Sequence, residues 1–332
     1  MKAEILKQLL RAHADGDNSG FRRAAIQLAA TESEAGHTRV AAELRAIIAQ
    51  LPAASTGSVG TTIDIAQPRG ELSGLLSGGH RDERLKDIVL SDDSRKRLER
   101  VLRENRARPQ LQGWNVQPRR RLLFYGPPGC GKTLAASVLA GELGLPLMTV
   151  RFDGLFSRFM GATASQLKVI FDEMPRRPAV YLFDEFDAVA KSRGDAQEVG
   201  EIRRVVTSYL QLMDADRSAG LIIAATNYEG LLDHAVFRRF DVLLRFELPD
   251  KGRIVELLGL RLRAFKVSAR QVESLAKLAT GLNFADVSRA CDDAIRSMIL
   301  AGRKDITSSD LRDAFAEARE RLAHVGAPPP AD

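Results

Sequence analysis

The stretch GPPGCGKT, residues 126–133, has the composition and spacing of a phosphate-binding loop. Its glycines let backbone N–H groups turn towards a bound anion, and a helix that begins after it adds the positive end of its dipole. Lys132 would reach the β- and γ-phosphates of a nucleotide, and the Thr133 hydroxyl would ligate Mg²⁺. The apolar stretch RLLFY before the loop and the helix-forming stretch LAASVLAGEL after it predict that this loop binds a nucleotide. The predicted contacts are Gly126, Pro127, Pro128, Gly129, Cys130, Gly131, Lys132, Thr133 and Leu134.

Two carboxylates, Asp184 and Glu185, stand side by side at the end of the apolar stretch AVYLF. Placing them there is costly unless a positive charge lies nearby, and a Mg²⁺–nucleotide would supply that charge. Asp184 would hold the metal through a water molecule, and Glu185 would orient the water that attacks the phosphate. A surface turn with the sequence DEFD is the alternative, but it does not explain the apolar residues that lead into it.

Three polar side chains further along the chain could act on the γ-phosphate. Asn227 ends the apolar stretch GLIIAAT, and its neutral amide could hydrogen-bond the attacking water without adding charge. Taken alone, an asparagine in this position is usually a turn residue. Arg238 and Arg239 follow a short predicted helix, and a guanidinium placed against the γ-phosphate stabilises the charge that develops there. Adjacent arginines are otherwise usually solvated, and if these two act on the site of a second subunit, the protein must be an oligomer.

Helices and short apolar stretches alternate from Arg81 onwards, and this order predicts the scaffold for these side chains. Strands are predicted in RLLFY, LPLMTVRF, AVYLF, GLIIAAT and VLLRFEL, which helical stretches separate. Such alternation is typical of an α/β fold, a parallel sheet with helices on both faces. After Pro249 the apolar strands stop, and residues 250–323 are predicted to form four helices. The Pro-rich residues 324–332 are predicted to be a disordered tail.

The N-terminal part of the chain has a different composition. Residues 1–51 are predicted to form three short amphipathic helices, because apolar positions recur there at helical spacing. Such a small all-α domain could be merely a packed unit, but its place ahead of a linker favours a docking module for a partner. Residues 52–80 are rich in Gly, Ser and Thr and predict a flexible linker. Within it, ELSGLLSG is either a lightly packed arm or a short recognition segment.

Composition limits the class of protein. With 332 residues, 45% of them hydrophobic, the chain can bury substantial cores. Its two cysteines, Cys130 and Cys291, are too few for a disulfide framework and favour a reducing compartment. No secretory pattern opens the chain and no apolar run approaches the ~18 residues of a membrane span, so a cytoplasmic protein without membrane contact is expected. The net charge of +6 raises the question of nucleic acid, but basic and acidic residues alternate, as in RLERVLRENRAR, so nucleic-acid binding is not expected.

Five motifs, GPPGCGKT, LFDEFDA, AATN, LLDHAVFRRFD and LPD, stand in an order and spacing that resembles the AAA clade of the AAA+ ATPases over about residues 81–323. The resemblance implies a P-loop NTPase module with a nucleotide-binding α/β domain at 81–249 and a helical lid at 250–323. It implies hydrolysis of ATP with Mg²⁺ in a homo-hexameric ring, with Arg238 and Arg239 reaching the site of the neighbouring subunit. It also implies that LKDIVL lies against the adenine, with Ile88 and Val89 as contacts.

The double arginine before Phe240 is most similar to the meiotic clade of this family, which includes severing and disassembly enzymes with helical N-terminal domains. Two residues depart from the family pattern. Val242 stands where members often carry a further arginine, and Phe284 stands at the second glycine of a lid motif that normally reads Gly-Ser-Gly-Ala-Asp. A bulky ring on the adenine side could slow nucleotide exchange or reshape the pocket. The H-E-x-x-H motif of the membrane-bound AAA proteases is absent from the sequence.

The stretch FSRFMGATASQ follows the predicted strand LPLMTVRF and precedes a predicted helix. In the family this position carries an aromatic, an aliphatic and a glycine that line the central pore, which implies that Phe159, Met160 and Gly161 contact the substrate there. A ring and a flexible thioether give a sequence-tolerant grip, and glycine lets the loop bend. The alternative is that the two apolar side chains fill a nearby core. The stretch KSRGDAQEVG, with Arg193 and Asp195, would form a second pore loop.

Two functions are compatible with these features. The leading hypothesis is an ATP-driven remodeller that pulls a polypeptide into the ring, with residues 1–51 recruiting the protein substrate or an adaptor. The alternative is a nucleotide-dependent switch that turns a partner on or off. The chain also resembles the ATPase subunits of bacterial two-gene modules whose companion is a subtilisin-like serine protease, modules associated with plasmid maintenance and phage defence. A third class, a nucleic-acid motor, is supported only by the net positive charge, because the sequence contains no recognisable DNA-binding module.

Overall fold

The computed structural model describes Thr31, Val40 and residues 72–150, 163–185, 196–227 and 234–326. The chain divides into two compact units, Met1–Ile63 and Asp64–Asp332. Apart from Thr31 and Val40, which are both helical, the predicted helical domain over residues 1–51 lies outside the described residues. The predicted tail from residue 327 onwards lies outside them as well.

The second unit is built on a sheet whose strands coincide with the predicted apolar stretches and include one more. The strands are β1 (Leu76–Gly79), β2 (Arg121–Tyr125), β3 (Leu147–Val150), β4 (Val180–Phe183), β5 (Leu221–Thr226) and β6 (Val242–Arg245). Within the described residues they form a six-stranded sheet in the order β1-β3-β4-β5-β2-β6. β1 runs antiparallel to β3, and every other neighbouring pair is parallel. The predicted α/β fold with a parallel sheet is therefore confirmed.

Helices cover both faces of the sheet. They are α1 (Leu72–Leu75), α2 (Asp92–Arg106), α3 (Arg108–Gly113), α4 (Lys132–Leu143), α5 (Thr163–Glu173), α6 (Ala196–Ala215) and α7 (His234–Phe237). Because successive side chains of a strand point to opposite faces, each strand contributes to two cores. Leu123 and Ile222 belong to an apolar cluster with side chains from α5 and α6. Their neighbours Leu122 and Ile223 belong to a second cluster, with side chains from α2 and α4.

Four helices follow the last strand in the described stretch 251–326, as the sequence predicts. They are α8 (Lys251–Arg261), α9 (Ala269–Leu278), α10 (Phe284–Leu300) and α11 (Ser308–Gly326). Three of them are preceded by an N-cap residue whose side chain accepts a hydrogen bond from the backbone N–H of the third helical residue: Asp250, Ser268 and Asn283. They enclose a third apolar cluster, which Val89 from the segment before α2 joins and in which Leu258 and Phe315 are fully buried. None of the helices in the described part of the chain is long and apolar enough to cross a membrane.

Residues 72–79 differ from the linker that the sequence predicts over 52–80. They form α1 and the edge strand β1, and Leu72, Leu75 and Leu76 are buried. The leucines pack in the cluster that also contains Met148 of β3. Their buried apolar side chains hold the segment against the sheet, which the surrounding Ser and Gly residues could not do. Of the two interpretations of ELSGLLSG, the packed arm is the one that the structure contains. The strand covers the outer edge of β3, which would otherwise expose unpaired backbone groups.

Candidate active site

Three parallel strands bring the candidate residues to one edge of the sheet. β2 leads into the phosphate loop, β4 leads into Asp184, and β5 leads into Asn227. Because β5 lies between β2 and β4, Asn227 stands about one strand spacing, ~4.8 Å, from the loop on one side and from the carboxylates on the other. The order of the strands in space therefore places an amide between a phosphate loop and a carboxylate pair.

The phosphate loop requires glycine at two positions. Gly126 has φ +133°, and a Cβ there would meet the backbone oxygen of Phe246 at 1.9 Å. Gly129 has φ +73°, and a Cβ there would meet the side chain of Asn283 at 2.5 Å. Residues with a side chain rarely adopt such angles, and here they would also collide with their neighbours. The loop is thus packed between the segment after β6 and the start of α10.

The ammonium group of Lys132 lies within the loop. Its Nζ donates hydrogen bonds to the backbone oxygens of Gly126 (2.7 Å) and Pro127 (2.9 Å) and to Oδ1 of Asn227 (2.9 Å). The side chain is buried, and a buried charge needs hydrogen-bond partners of this kind. These bonds hold the positive charge between the loop and the end of β5, where phosphate oxygens could replace the backbone oxygens as acceptors.

Thr133 and Asp184 meet directly. The Thr133 hydroxyl donates a hydrogen bond of 2.7 Å to Oδ2 of Asp184, which joins the first turn of α4 to the end of β4. Mg²⁺ prefers oxygen ligands and usually combines one or two protein oxygens with water and phosphate oxygens. A hydroxyl and a carboxylate side by side at the phosphate loop are therefore a donor set that fits Mg²⁺.

Glu185 has an unusual backbone conformation. Its φ is +52°, in the left-handed region that a residue with a side chain occupies at a cost on the order of 1–3 kcal/mol. Its N–H donates to Oδ1 of Asp184 at 2.9 Å, while its own side chain remains exposed and lines the cavity beside the loop. Backbone strain of this kind is concentrated at functional sites, because the surrounding structure must enforce it. The two consecutive carboxylates thus have different surroundings: Asp184 accepts a hydrogen bond from Thr133, whereas the Glu185 side chain is exposed at the cavity.

A cavity of about 410 Å³ collects these residues. Its volume is within the roughly 300–1,000 Å³ that is typical of small-molecule sites. The predicted contacts that line it are Ile88, Val89, Pro128, Gly129, Cys130, Gly131, Lys132, Thr133, Leu134, Asp184, Glu185 and Asn227. Gly126 and Pro127 instead provide the oxygens that accept hydrogen bonds from Lys132. Four further residues that line the cavity are not among the predicted contacts: Asp87, Leu257, Ala285 and Ser288.

The segment of the predicted adenine contacts is held in place by an arginine that no motif identifies. Ile88 and Val89 are buried and line the cavity. Arg95 of α2 donates to the backbone oxygens of Leu85 (3.1 Å) and Ile88 (3.0 Å). Its Nη2 also lies 3.9 Å from Oε1 of Glu256 in α8. One guanidinium thus connects this segment with the C-terminal helices.

Helix α10 forms the opposite wall of the cavity. The N–H of Ala285 donates to the backbone oxygen of Gly129 at 3.0 Å, so the first turn of the helix contacts the phosphate loop directly. Phe284, the first residue of the helix, lines the cavity and is half-buried. Its ring packs against both the cluster on the α2–α4 face of the sheet and the cluster of the C-terminal helices. The residue that departs from the family pattern therefore lies where the two parts of the chain meet.

Arg238 and Arg239 are not among the residues that line this cavity. Arg238 is exposed, and Nη1 of Arg239 lies 2.7 Å from Oδ2 of Asp214 in α6. Arg121 at the start of β2 approaches the other oxygen of Asp214, at 3.3 Å. Within one chain, the structure therefore brings Lys132 and the carboxylates together but does not bring the two arginines to them.

Both cysteines are buried thiols. Burial raises the pKa of Cys130, against the opposing effect of the charges of Lys132 and Arg253. Burial also raises the pKa of Cys291 to about 12. Both thiols pack as small apolar side chains, Cys130 from the loop into the cluster on the α2–α4 face of the sheet and Cys291 among the C-terminal helices.

The predicted pore residues Phe159, Met160 and Gly161 lie outside the described residues, as do Arg193 and Asp195. Val242, the other departure from the family pattern, begins β6 and is buried against β2. An arginine at this position would have to leave an apolar cluster, so valine here is explained by packing.

Comparisons with known proteins agree with this geometry. The model of the ATPase family associated with various cellular activities (AAA) matches residues 122–248. The "Uncharacterized AAA family ATPase y4kL" of Sinorhizobium fredii (strain NBRC 101917 / NGR234) is 33% identical over 322 residues, which are 97% of this chain and 97% of that protein. The match thus extends over nearly the whole of both chains.

Two further relatives match over part of their length. The proteasome-activating nucleotidase of Methanococcus vannielii is 30% identical over 224 residues, 63% of this chain and 55% of that protein. The ATP-dependent zinc metalloprotease FtsH 2 of Methylacidiphilum infernorum is 28% identical over 253 residues, 74% of this chain and 40% of that protein. The chain therefore spans about half of the nucleotidase and two fifths of the metalloprotease.

Proposed function

Because this chain belongs to the AAA ATPase family and is an ATP hydrolase, we propose that it forms a hexameric ring that remodels, unfolds or disassembles a protein substrate. The observation that carries the proposal is the convergence of Lys132, the Asp184–Glu185 pair and Asn227 on one cavity. Phosphoryl transfer requires groups that position and neutralise phosphates, and these are the groups that the strand ends supply.

In the proposed site, each group next to the loop has a distinct part in hydrolysis. Lys132 exchanges its backbone acceptors for the β- and γ-phosphate oxygens of ATP. The oxygen of the Asn227 amide accepts a hydrogen bond from Lys132, and its NH2 group would hydrogen-bond the attacking water. Glu185, whose carboxylate is not occupied by Thr133, orients that water and accepts its proton. Ile88 and Val89 provide the apolar surface for the adenine.

Thr133 and Asp184 would hold Mg²⁺ in this site, Asp184 through a water molecule. When bound, the ion neutralises part of the phosphate charge. The hydrogen bond between the two side chains keeps both oxygens in place at the first turn of α4. This arrangement supports ATP and Mg²⁺ as the pair that the site takes up.

The positions of the two arginines support the proposed ring. A guanidinium against the γ-phosphate contributes a large share of the rate of phosphoryl transfer, and Arg238 and Arg239 lie away from the cavity of their own chain. We infer that they serve the cavity of the neighbouring subunit, as in the meiotic clade that the FRRFD motif resembles. The ion pair of Arg239 with Asp214 would orient its side chain for this role.

Gripping of the substrate is assigned to Phe159, Met160 and Gly161, which would line the central pore. Residues 1–51 are proposed to recruit the substrate or an adaptor. The C-terminal helices from residue 250 act as a lid over the nucleotide, which is supported by the contacts of α10 and α8 with the cavity.

A nucleotide-dependent switch is the second candidate, and the names of two relatives favour it. One relative is named a proteasome-activating nucleotidase and another an ATP-dependent metalloprotease, so ATPases similar to this chain work with proteolysis. In this version, nucleotide state controls a partner such as a subtilisin-like serine protease encoded beside this chain in a bacterial defence or plasmid-maintenance module. The same site and ring serve both functions.

The experiment that separates these functions measures ATP turnover with and without an unfolded polypeptide, β-casein. A remodeller that grips polypeptides is expected to hydrolyse ATP several times faster with β-casein, because substrate in the pore couples to the site. Replacing the pore aromatic, Phe159→Ala, should bring this stimulation ratio close to one. The conservative change Phe159→Tyr is the matched control and should retain the stimulation, since it keeps a ring.

An equal stimulation ratio in Phe159→Ala and in the unaltered protein would contradict the pore assignment. A protein that unfolds on this substitution, seen as a lost thermal transition, would favour the core-filling alternative for the same side chain. A ratio near one in the unaltered protein itself would favour the switch, in which threading of a polypeptide has no part.

A further inference from the structure

The segment that would contact the adenine is a short connection ahead of α2. It consists of a single 3₁₀ turn, Leu85–Asp87, followed by Ile88 and Val89, and Ile88 is extended, with φ −124° and ψ 136°. A single turn contains too few internal hydrogen bonds to fix its own position. The place of this segment at the cavity therefore depends on bonds from the rest of the fold.

The start of the segment is bonded to the helix that follows the phosphate loop. The N–H of Leu85 donates to Oε1 of Glu142 in α4 at 3.1 Å. This bond, helped by Arg106, whose Nη2 lies 2.8 Å from Oε2, holds the pKa of Glu142 below its usual range. The carboxylate thus stays charged and fixes the start of the segment to α4.

The part of the segment next to the cavity is bonded by Arg95 of α2. Its Nη1 donates to the backbone oxygen of Leu85 at 3.1 Å, and its Nη2 donates to that of Ile88 at 3.0 Å. A guanidinium presents its N–H groups in one rigid plane, so it can hold both oxygens at once. The two bonds span the 3₁₀ turn and fix the point at which Ile88 and Val89 leave it.

Ile88 and Val89 belong to two different apolar clusters. Ile88 packs on the α2–α4 face of the sheet, and its Cδ1 lies 3.9 Å from the position that a Cβ would take on Gly131 of the phosphate loop. Val89 packs instead with the C-terminal helices. Both side chains are buried and line the cavity. A shift of this segment would therefore change the shape of the cavity beside the phosphate loop.

Arg95 also reaches the C-terminal helices beside the cavity. Its Nη2, which donates to Ile88, lies 3.9 Å from Oε1 of Glu256 in α8. The next residue of that helix, Leu257, lines the cavity. Both charged side chains are partly exposed, so their attraction adds little to the stability of the fold. It does make the orientation of the guanidinium depend on the position of α8.

We propose that Arg95 is a positioning residue for the base of the nucleotide, an inference that rests on the proposed placement of the adenine at Ile88 and Val89. It holds residues 85–89 in the conformation that receives the base, and Glu256 links this conformation to the position of α8. Arg95 is not among the described residues that line the cavity, so it acts on the base through the segment. The affinity for the base therefore depends on Arg95, whereas the affinity for the phosphates does not.

The competing interpretation is that Arg95 only stabilises the fold. Its removal would then weaken every ligand of the cavity alike, or none of them. A positioning residue for the base instead affects only ligands that carry a base. ADP and inorganic diphosphate separate the two interpretations, because both present phosphates to the loop and only ADP presents an adenine. Neither contains the γ-phosphate, so hydrolysis does not interfere with the measurement.

The test is isothermal titration calorimetry of the full-length protein with ADP and, separately, with inorganic diphosphate, both with Mg²⁺. The unaltered protein should bind ADP more tightly, because the base adds contacts with Ile88 and Val89. In Arg95→Ala, ADP should bind about tenfold more weakly, as expected when the segment occupies its binding conformation about a tenth of the time, while the affinity for diphosphate should stay within about twofold. Arg95→Lys should lose only about threefold, since lysine keeps the charge and one hydrogen bond but lacks the planar fork.

Arg103→Ala is the matched control. Arg103 is an exposed arginine of the same helix that is not among the described residues lining the nucleotide cavity, so both affinities should stay within about twofold. The thermal transition of each variant checks its folding. Glu256→Gln should weaken ADP binding about two- to threefold, in the range of an exposed ion pair, and should have no further effect when added to Arg95→Ala, because its partner is gone.

Equal losses of affinity for ADP and diphosphate in Arg95→Ala would make Arg95 a structural residue and overturn the proposal, as would an unchanged affinity for ADP. Additive losses in Arg95→Ala and Glu256→Gln would contradict the link with α8. Diphosphate binding as tight as ADP binding in the unaltered protein would reject the adenine placement itself. A preference for ADP that Arg95→Ala leaves unaltered would reject the role of Arg95 alone.

Discussion

The nucleotide cavity has two walls that differ in kind. The wall formed by the ends of β2, β4 and β5 supplies charged and amide groups, in which Lys132 bonds Asn227 and Thr133 bonds Asp184. The wall formed by α8 and α10 supplies mainly apolar surface, including Phe284, and one backbone N–H that donates to the phosphate loop. The first wall can interact with the charge of the phosphates, while the second can influence the affinity and the dissociation rate of the nucleotide.

Substitutions in the two walls are therefore expected to have different effects on nucleotide binding. A change in the wall of strand ends removes an interaction with charge, which is worth several times more than an exposed apolar contact. A change in the helical wall alters shape and contact but leaves the charges in place. The walls are not independent, because Ala285 and Gly129 are joined at 3.0 Å, and a shift of α10 would move the loop.

The largest effect is expected from Lys132→Ala. The substitution removes the cation that would contact two phosphates, and at about 1.5–3 kcal/mol for a hydrogen bond to a charged group the affinity for ATP should fall about 100-fold or more. Titration with a fluorescent ATP analogue measures this. Lys277→Ala, which removes an exposed lysine of α9, is the control and should not alter the affinity. Normal ATP binding by the Lys132→Ala protein would contradict the proposal that the strand ends hold the phosphates.

A smaller effect of a different type is expected from Phe284→Ala. Loss of the ring opens the helical wall, so ADP should dissociate about three to ten times faster while the affinity for inorganic triphosphate stays unchanged, since the phosphate contacts remain. Phe265→Ala is the matched control, because Phe265 packs against the cluster of the C-terminal helices and, among the described residues, does not line the cavity. It should lower the melting temperature without changing ADP release. Equal ADP release rates in the Phe284→Ala variant and the unaltered protein would show that the two walls do not divide these tasks.

The strand wall was largely predictable from the sequence. Gly126, Asp184 and Asn227 each follow a short apolar run, and parallel strands end at a common edge, so their convergence follows from the chain order alone. The left-handed conformation of Glu185 was not predictable, because nothing in DEFD demands it. The order β4-β5-β2 was not predictable either, although it decides that Asn227 is the residue in the middle.

The helical wall and the edges were less predictable for physical reasons. Leu257 and Ala285 have side chains that occur throughout any core, so only the packing of α8 and α10 reveals that they line the cavity. β1 escaped prediction because its Ser and Gly residues resemble a linker, and its burial comes from leucines next to it. The role of Arg95 is evident only from its hydrogen bonds in the structure, because one arginine among many charged residues of a helix gives no indication of what it contacts.

We propose above that hydrolysis uses Glu185 of one subunit and the arginine finger of the next. The shared site is tested most directly by ATP turnover in mixtures of two variants, Glu185→Gln and Arg239→Ala. Each alone should retain about 1% of turnover or less, because one lacks the group that orients water and the other the guanidinium against the γ-phosphate. Each should still bind a fluorescent ATP analogue as an isolated subunit, since Lys132 and Thr133 are intact.

In the mixture, an Arg239→Ala subunit keeps Glu185 and can receive Arg239 from a Glu185→Gln neighbour. Turnover is therefore predicted to rise well above that of either variant alone, with a maximum near equal proportions. Near-normal turnover of Glu185→Gln by itself, or no recovery at any mixing ratio, would contradict the shared active site.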